Sequence, residues 1–294
     1  MNYAQVLTDA WKTIWRNKAI LAFGLMSGVI PGLSFALDFI DSSTMAEWFS
    51  GVDSSGSLVL YVLLALLLVL ATTLVVALSQ IGIVRGTALA QQGAGETGFR
   101  ALLTQSLPFM WRVLGVLLLF GLVLAAVIGM ASCFQMGVGL ATLGFGMVCL
   151  LPFVLGLFLL ALAWRAATDL TITAVVVDGA SPRGAISQAW KVFRRKTGPV
   201  TVFGLALTGG LLVSSLLVGA PDMIASWLPA FFTSPAGIGD PRISEVARWF
   251  RVGYFPIHAV GQALLQAYAY SAWTLAYLEL TRPPGQPMRL GASV

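Results

Sequence analysis

A chain of 294 residues is long enough for one or two water-soluble domains, but its composition excludes them. Hydrophobic residues make up 58% of the chain and charged residues only 10%, against about 25% in ordinary globular proteins. With a mean hydropathy of +0.88, so much apolar surface cannot be covered in water, and the sequence predicts an all-α polytopic membrane helix bundle. Because the net charge of +5 lies beside apolar segments, we expect anionic membrane lipids rather than nucleic acid as partners.

The first predicted element is an amphipathic helix over residues 2–17. Its tryptophans and aliphatic residues fall on one face, and its polar residues, which include Lys12 and Arg16, fall on the other. That pattern is typical of a helix in the headgroup region of a bilayer; the alternative is the cytoplasmic end of a longer transmembrane helix. Lys12, Arg16 and Lys18 resemble the basic region of a signal peptide. The apolar run that follows exceeds the about 15 residues of such a signal, so we expect a permanent membrane helix.

Six apolar stretches follow, each as long as the about 20 residues that cross the hydrocarbon core of a bilayer. In chain order they are Ala19–Ile40, Leu58–Val84, Met110–Ala131, Leu140–Ala163, Val200–Ala220 and Gly253–Leu278. Gly28 and Gly32 in the first stretch are spaced so that another helix can approach closely. The sequence therefore predicts six transmembrane helices in a single domain over residues 1–281, followed by a disordered cytoplasmic tail over residues 282–294.

The tripeptide Phe-Gly-Leu occurs three times, beginning at Phe23, Phe120 and Phe203, each time behind a segment with Trp and basic residues. We interpret this as one unit used three times, a membrane hairpin preceded by a cytoplasmic amphipathic helix. Because all three units enter from the same side, the repeats have a parallel sense. Their approximate limits are 1–84, 97–178 and 181–281.

The third amphipathic helix has the clearest beginning. Ser181 suits the N-cap position and Pro182 the first helical position. Together with the first amphipathic helix it supplies the candidate contacts for anionic lipid headgroups, which are Lys12, Arg16, Lys18, Arg183, Lys191, Arg194, Arg195 and Lys196. With the N terminus inside, most of the 17 basic residues lie on inner segments. The sequence thus predicts a multi-pass protein of the cytoplasmic (inner) membrane of a prokaryote, with both termini in the cytoplasm.

A polar stripe on the sixth apolar stretch is the strongest candidate for a functional site. His258, Gln262, Gln266, Tyr270 and Thr274 recur every fourth residue, which keeps them on one slowly drifting face of a helix. In lipid such a face must lie against other helices or a wet cavity, because unpaired polar groups are costly there. The stripe therefore either lines a substrate path or forms interhelical hydrogen bonds. The second alternative is favoured because ionisable groups are otherwise sparse in the spans.

No catalytic motif is visible in the sequence, so we expect no enzyme, no cofactor and no metal site. His258 is the single histidine, too few for a catalytic triad or a zinc site; a lone ligand to a haem or pigment is the alternative. Cys133 and Cys149 have no partners at metal-binding spacing and are read as small packing residues. Arg165 and Asp169, four residues apart, are expected to pair on one helix face.

Three stretches carry a family resemblance: AWKTIWRNK near the N terminus, GIVRGTALAQQGAGETGFRALL (Gly82–Leu103) and VVVDGASPRGAISQAWKVFRRKTG (Val175–Gly198). They resemble a loose family of uncharacterised prokaryotic six-span integral membrane proteins, similar to the membrane domain N-terminal to some glycerophosphodiester phosphodiesterases. The resemblance covers nearly the whole chain and implies the six-span fold. It carries over no catalytic residue, because these residues include no phosphodiesterase domain.

Two functions are compatible with these features. The favoured expectation is a non-catalytic membrane protein that acts as a scaffold, an assembly factor or an accessory subunit, with other membrane subunits as partners. The alternative is a transporter or lipid-handling permease whose path is lined by the sixth span. That alternative predicts a polar cavity touching Gln262 and Gln266, whereas a dry, tightly packed interior at that depth would remove its motivation.

Overall fold

The computed structural model describes residues 2–39, 54–93, 98–142, 151–231 and 241–281, and nearly all of this part of the chain is α-helical. Its eight helices are α1 (Tyr3–Arg16), α2 (Lys18–Phe39), α3 (Ser54–Gln91), α4 (Phe99–Ala141), α5 (Leu151–Asp178), α6 (Pro182–Arg195), α7 (Thr197–Phe231) and α8 (Pro241–Thr281). The all-α class is thereby confirmed for the described ranges. The predicted tail, residues 282–294, and Cys149 lie outside them.

Four helices are long and apolar enough to cross a membrane by length and composition. They are Val62–Gln91 in α3, Phe99–Val138 in α4, Leu155–Asp178 in α5 and Thr197–Ala225 in α7. Of the two other predicted spans, α2 contributes the shorter apolar helix Lys18–Gly28, and α8 is a helix of 41 residues that does not meet the same criterion. The chain thus has the helices of a membrane protein, with four of the six predicted spans found.

Two predicted boundaries are wrong, both at glycines or prolines. The sequence predicts a short surface helix over Phe99–Leu107 that ends before Pro108, but α4 runs unbroken from Phe99 to Ala141 and joins this segment to the third span. The fourth span does not begin at Leu140, which belongs to α4; α5 begins at Leu151. Where no water competes for backbone hydrogen bonds, a helix continues through residues that would end it in water. Consequently the middle hairpin has no separate amphipathic helix in front of it.

Helices α2 and α8 pack with their backbones in contact. A Cβ atom on Gly24 would lie 2.8 Å from the carbonyl oxygen of Ala263, and one on Gly28 would lie 2.5 Å from that of Ala259. Small residues on both helices, spaced by four, permit this approach, as in many membrane helix pairs. The close approach of another helix predicted at Gly28 is confirmed. The second glycine of α2 that takes part in this contact is Gly24.

The three Phe-Gly-Leu tripeptides are not equivalent in three dimensions. Phe23 and Phe203 are buried, whereas Phe120 is only partly buried. Gly24 presses against α8 and Gly204 lies near Trp273, but a Cβ on Gly121 would meet nothing within 4 Å. The outer two copies therefore share an environment that the middle one lacks, and the threefold repeat stays a prediction.

Helix α1 packs on the end of the bundle that is formed by the last turns of α3 and α8. Its buried residues Val6, Ala10 and Ile14 pack against α8, α2 and α3. Trp11 remains exposed on one side and makes an edge contact with Tyr268 at 6.1 Å between ring centroids. The predicted amphipathic helix is present at Tyr3–Arg16, and its apolar face is used for packing on the bundle.

Buried side chains concentrate in the half of the bundle beside α1. There Ile81, Leu170 and Tyr277, from α3, α5 and α8, are shielded almost completely. In the other half, leucines such as Leu67 and Leu122 face outward. This outward apolar surface is what lipid would cover, and the polar stripe of α8 lies at the transition between the two halves.

Candidate functional site

The polar stripe of α8 lies against α5 and α7. At the end of the stripe nearer the N terminus of α8, Nε2 of Gln262 lies 3.4 Å from Nε2 of His258. The same nitrogen donates to Oγ of Ser215 at 3.4 Å. Both distances are long for hydrogen bonds, whose usual range is about 2.7–3.2 Å. The two contacts of Gln262 are therefore weak hydrogen bonds.

Further along the stripe, α8 meets an arginine of α5. Nη2 of Arg165 donates to Oε1 of Gln266 and to the hydroxyl of Tyr270, at 3.4 Å each. Its Nε donates to Oδ2 of Asp169 at 3.3 Å, one helical turn away, which confirms the predicted i,i+4 pair. The guanidinium also lies over the ring of Tyr270, 5.8 Å from its centroid. One arginine thus links two members of the stripe to a carboxylate.

The two partners of this ion pair are buried to different degrees. The side chain of Asp169 is 3% exposed, whereas that of Arg165 is 50% exposed on the surface of the bundle. A buried carboxylate is tolerated only with a compensating charge, which Arg165 supplies from its more open position. The guanidinium is therefore the accessible charge of the site, and Asp169 is the neutralising charge behind it.

On the far side of α8, the stripe contacts α3. Nε2 of Gln80 donates to the hydroxyl of Tyr270 at 2.6 Å, while its Oε1 is buried without a hydrogen-bond partner in the described chain. Thr274 takes no part in these interhelical contacts, because its hydroxyl donates to the carbonyl of Tyr270 at 2.7 Å. Tyr270 is the residue where the arginine and the amide of Gln80 meet.

A cavity of about 230 Å³ lies in front of Arg165, between α5, α7 and α8. Thr208 and Ser215 of α7 and Gln262 and Gln266 of α8 contribute polar groups to its wall. Leu211, Leu212 and Leu265 contribute apolar groups, and because Leu212 and Arg165 are exposed, the cavity lies at the surface of the bundle. Gln262 and Gln266 therefore line a cavity whose wall is largely apolar and carries several polar groups, so the polar cavity that the path hypothesis expects is found only in part.

Three polar residues of this site were not assigned to it from the sequence: Gln80, Thr208 and Ser215. Each is a polar residue inside an apolar stretch, a signal that marks a functional or packing role without naming a partner. The stripe was recognisable because one helix carries it at a regular spacing. Gln80 pairs with a residue 190 positions away, and no local pattern encodes that distance.

The basic residues predicted to contact lipid lie in two groups. Lys12, Arg16 and Lys18 line a surface cavity of about 710 Å³ between α1, α2 and α3. Arg183, Lys191, Arg194 and Arg195 lie exposed on α6. Lys196 instead donates from Nζ to the carbonyl oxygen of Leu280 at 2.8 Å, so it ties the end of α6 to α8.

The turn between α5 and α6 forms a second polar cluster. Ser181 is the N-cap of α6 and Pro182 its first residue, both as predicted; Oγ of Ser181 accepts from the backbone N–H of Gly184 at 3.3 Å. Asp178, at the end of α5, accepts hydrogen bonds from Gln188 of α6 at 2.9 Å and from Tyr277 of α8 at 2.5 Å. The position of α6 is thereby fixed relative to both α5 and α8.

Within the described ranges, no group of three or more His, Cys, Asp or Glu side chains is placed to hold a metal ion. The comparisons with known proteins give one result. A family described as a domain of unknown function, DUF7847, matches residues 1–280. No curated protein and no solved structure matches the chain. These findings name no relative, so the resemblance to phosphodiesterase membrane domains stays a prediction.

Proposed function

This chain belongs to the DUF7847 family of unknown function, and we propose that it is a non-catalytic, lipid-handling permease that receives a phospholipid headgroup in the cavity at Arg165. The observation that carries the proposal is a half-exposed arginine, with several polar neighbours, in a largely apolar cavity at the surface of the bundle. Membrane-facing arginines are costly unless they serve a ligand or a path.

The size of the cavity suits a headgroup and not a whole lipid. Its volume of about 230 Å³ is below the roughly 300–1,000 Å³ of sites that enclose a drug-sized ligand. Leu211, Leu212 and Leu265 of the wall would contact the start of the acyl chains, which would remain in the bilayer. A lipid would therefore enter sideways, with its polar end between α5 and α8.

The chemistry of the wall suits a phosphate. A guanidinium offers parallel N–H donors that match phosphate oxygens, and the amides of Gln262 and Gln266 add further hydrogen-bonding groups. Asp169 keeps the empty site close to neutral, so that Arg165 is paired before the ligand arrives. When a phosphate replaces part of that pairing, the long contacts from Arg165 to Gln266 and Tyr270 can be exchanged without breaking strong bonds.

The topology that goes with this function has six crossings, with α2 and α8 completing the four apolar spans. The close packing of Gly24 and Gly28 on α8 supports placing both helices in the same layer as the others. Both termini lie in the cytoplasm, in the cytoplasmic membrane of a prokaryote, with the basic residues of α1 and α6 against anionic headgroups. Reporter fusions at the N terminus and after residue 281 test this, and opposite locations of the two would overturn it.

A scrambling assay tests the function. The purified chain is reconstituted into vesicles of phosphatidylcholine and phosphatidylglycerol that contain a trace of acyl-chain-labelled fluorescent lipid, and a membrane-impermeant reductant bleaches the outer leaflet. We expect complete bleaching with the native chain and at least about tenfold slower loss of the inner-leaflet signal with the variant Gln262→Leu/Gln266→Leu.

Thr72→Val is the matched control. Thr72 bonds only to carbonyl groups of its own helix, so this variant removes a polar group from α3 outside the cavity and should scramble like the native chain. Vesicles that bleach no further than protein-free vesicles would reject the lipid-handling function. Co-purification with partner subunits in gentle detergent would then support the scaffold or accessory role.

A further inference from the structure

A second cavity, distinct from that at Arg165, lies between α4, α5 and α6 and is almost entirely apolar. Its volume is about 320 Å³. Its wall includes Phe120, Leu160, Trp164, Ile186, Trp190 and Phe193. We call it the α6 groove. Two ring pairs form its sides, Phe120 with Trp164 at 5.0 Å and Trp190 stacked on Phe193 at 6.1 Å.

The length of the α6 groove matches one leaflet of a bilayer. Its residues on α5 extend from Leu160 to Thr171, which is about 16 Å at 1.5 Å per residue. Half of the roughly 30 Å hydrocarbon core is about 15 Å. An extended hydrocarbon chain that starts at α6 would therefore be covered over the depth of one leaflet.

The charges at the α6 end of the groove are positive. At about 100° per residue, Arg183 and Arg194 lie about 70° and 90° from the row of α6 residues that face the groove. Lys191 and Arg195 lie about 150° or more from that row, on the opposite side of the helix. Within the described residues none of these four side chains forms an ion pair with a carboxylate, so the two near arginines are available to an anion.

We propose that the α6 groove binds one acyl chain of an anionic phospholipid whose negatively charged headgroup lies against α6, within reach of Arg183 or Arg194. An apolar slot of leaflet length, two tryptophans and an arginine near each end of α6, neither of them paired with a carboxylate among the described residues, together match a lipid with a negatively charged headgroup. The proposal rests on α6 lying at the cytoplasmic surface, as in the proposed topology, but not on any ligand at Arg165. This lipid would be a bound component of the protein and not its cargo.

Photolabelling tests the proposal. The full chain is reconstituted in phosphatidylcholine vesicles with a trace of phosphatidylglycerol that carries a photoreactive acyl chain, and the labelled peptides are mapped by mass spectrometry. We expect labels within 160–171 or 186–193, and competition by unlabelled phosphatidylglycerol but not by phosphatidylcholine. One arginine near an anionic headgroup contributes about fivefold, so Arg183→Gln/Arg194→Gln should reduce labelling at least about fivefold.

Matched variants separate a built site from a general lipid contact. Lys191→Gln/Arg195→Gln removes the same charge from the far side of α6 and should leave labelling within about twofold. Ala163→Phe fills the groove from an exposed position on α5 and should abolish labelling, whereas Ala161→Phe, on an exposed position outside the groove, should not. All four variants must retain the native elution profile in detergent.

Three results would overturn the proposal. The first is equal labelling by a photoreactive phosphatidylcholine, which would indicate only the surrounding bilayer. The second is equal loss of labelling in the two double variants. The third is a cross-link between two copies of the chain through Trp190, which would make the groove a protein interface. None of these results would affect the scrambling assay with Gln262→Leu/Gln266→Leu, so the two proposals can fail separately.

Discussion

Arg165 and Asp169 lie one turn apart on α5, with 3.3 Å between Nε and Oδ2, and only the carboxylate is buried. This asymmetry means that the two residues do not have equal roles in stability. Removing the guanidinium of Arg165 leaves the carboxylate of Asp169 buried without a compensating charge. Removing the carboxylate leaves the guanidinium unpaired, but in a half-exposed position.

The first prediction concerns this pair. Arg165→Gln should destabilise the protein by about 3–5 kcal/mol, because it leaves a buried carboxylate unpaired. Asp169→Asn should cost about 1 kcal/mol or less, since Arg165 is half exposed. Thermal unfolding of each variant in one detergent measures this. The double variant should be more stable than Arg165→Gln alone, and equal losses in the two single variants would contradict the assignment.

The second prediction compares the glycines of the three Phe-Gly-Leu tripeptides. Gly24→Ala should cost about 1–3 kcal/mol, because its Cβ would lie 2.8 Å from a backbone oxygen of α8. Gly121→Ala meets nothing within 4 Å and should gain about 1 kcal/mol from helix propensity. Gly204→Ala would meet only the ring of Trp273, at 3.4 Å, and should be no worse than the native chain. We expect the melting temperature to rise in the order Gly24→Ala, Gly204→Ala, Gly121→Ala. A Gly24→Ala variant as stable as the native chain would refute the packing of α2 on α8.

The third prediction concerns the hydrogen bond between Gln80 and Tyr270. Tyr270→Phe removes the acceptor of Gln80 and one acceptor of Arg165, and should cost about 1–3 kcal/mol. Gln80→Leu should lie within about 0.5 kcal/mol of the native chain, because one of the two polar atoms of Gln80 already has no partner. A double-mutant cycle on these two variants measures the coupling. A coupling near zero would mean that the amide and the phenol do not meet.

The fourth prediction concerns the start of α6. Ser181→Ala should cost about 1 kcal/mol by removing the acceptor for the N–H of Gly184, and Ser181→Asp should restore most of it. The loss should be local, seen as faster hydrogen exchange in residues 182–188 with little change in α5. Exchange that rises equally in both helices would show that the turn stabilises the whole bundle and not the beginning of α6 alone.

Features with a local signal were predicted from the sequence. The i,i+4 spacing of Arg165 and Asp169 gave their pairing, and Ser181 followed by Pro182 gave the start of α6, because caps and one-turn contacts depend only on neighbouring residues. The stripe of α8 was recognisable for the same reason. The favoured prediction, that the stripe forms interhelical hydrogen bonds, does not describe all of it, since Gln262 and Gln266 also line a cavity.

Features that depend on distant parts of the chain were missed. Nothing near Gln80 indicates that its partner is Tyr270, and nothing near Leu212 indicates that it lines a cavity. The start of α4 was misplaced because Pro108 was interpreted as a helix end. That rule holds in water, where the freed backbone groups find other partners, and is weaker in apolar surroundings.

The contact of Gly24 and Gly28 with α8 has a consequence for how the chain is made. Helix α2 makes this backbone contact only with α8, the last helix of the described residues. At a synthesis rate of about 5–20 residues per second, the wait for α8 lasts on the order of ten to fifty seconds. During this time the glycine face of α2 is open to any insertase or chaperone nearby. The packing of α8 on α2 is therefore a late step of assembly. In a chain that ends before α8, the glycine face of α2 would stay uncovered.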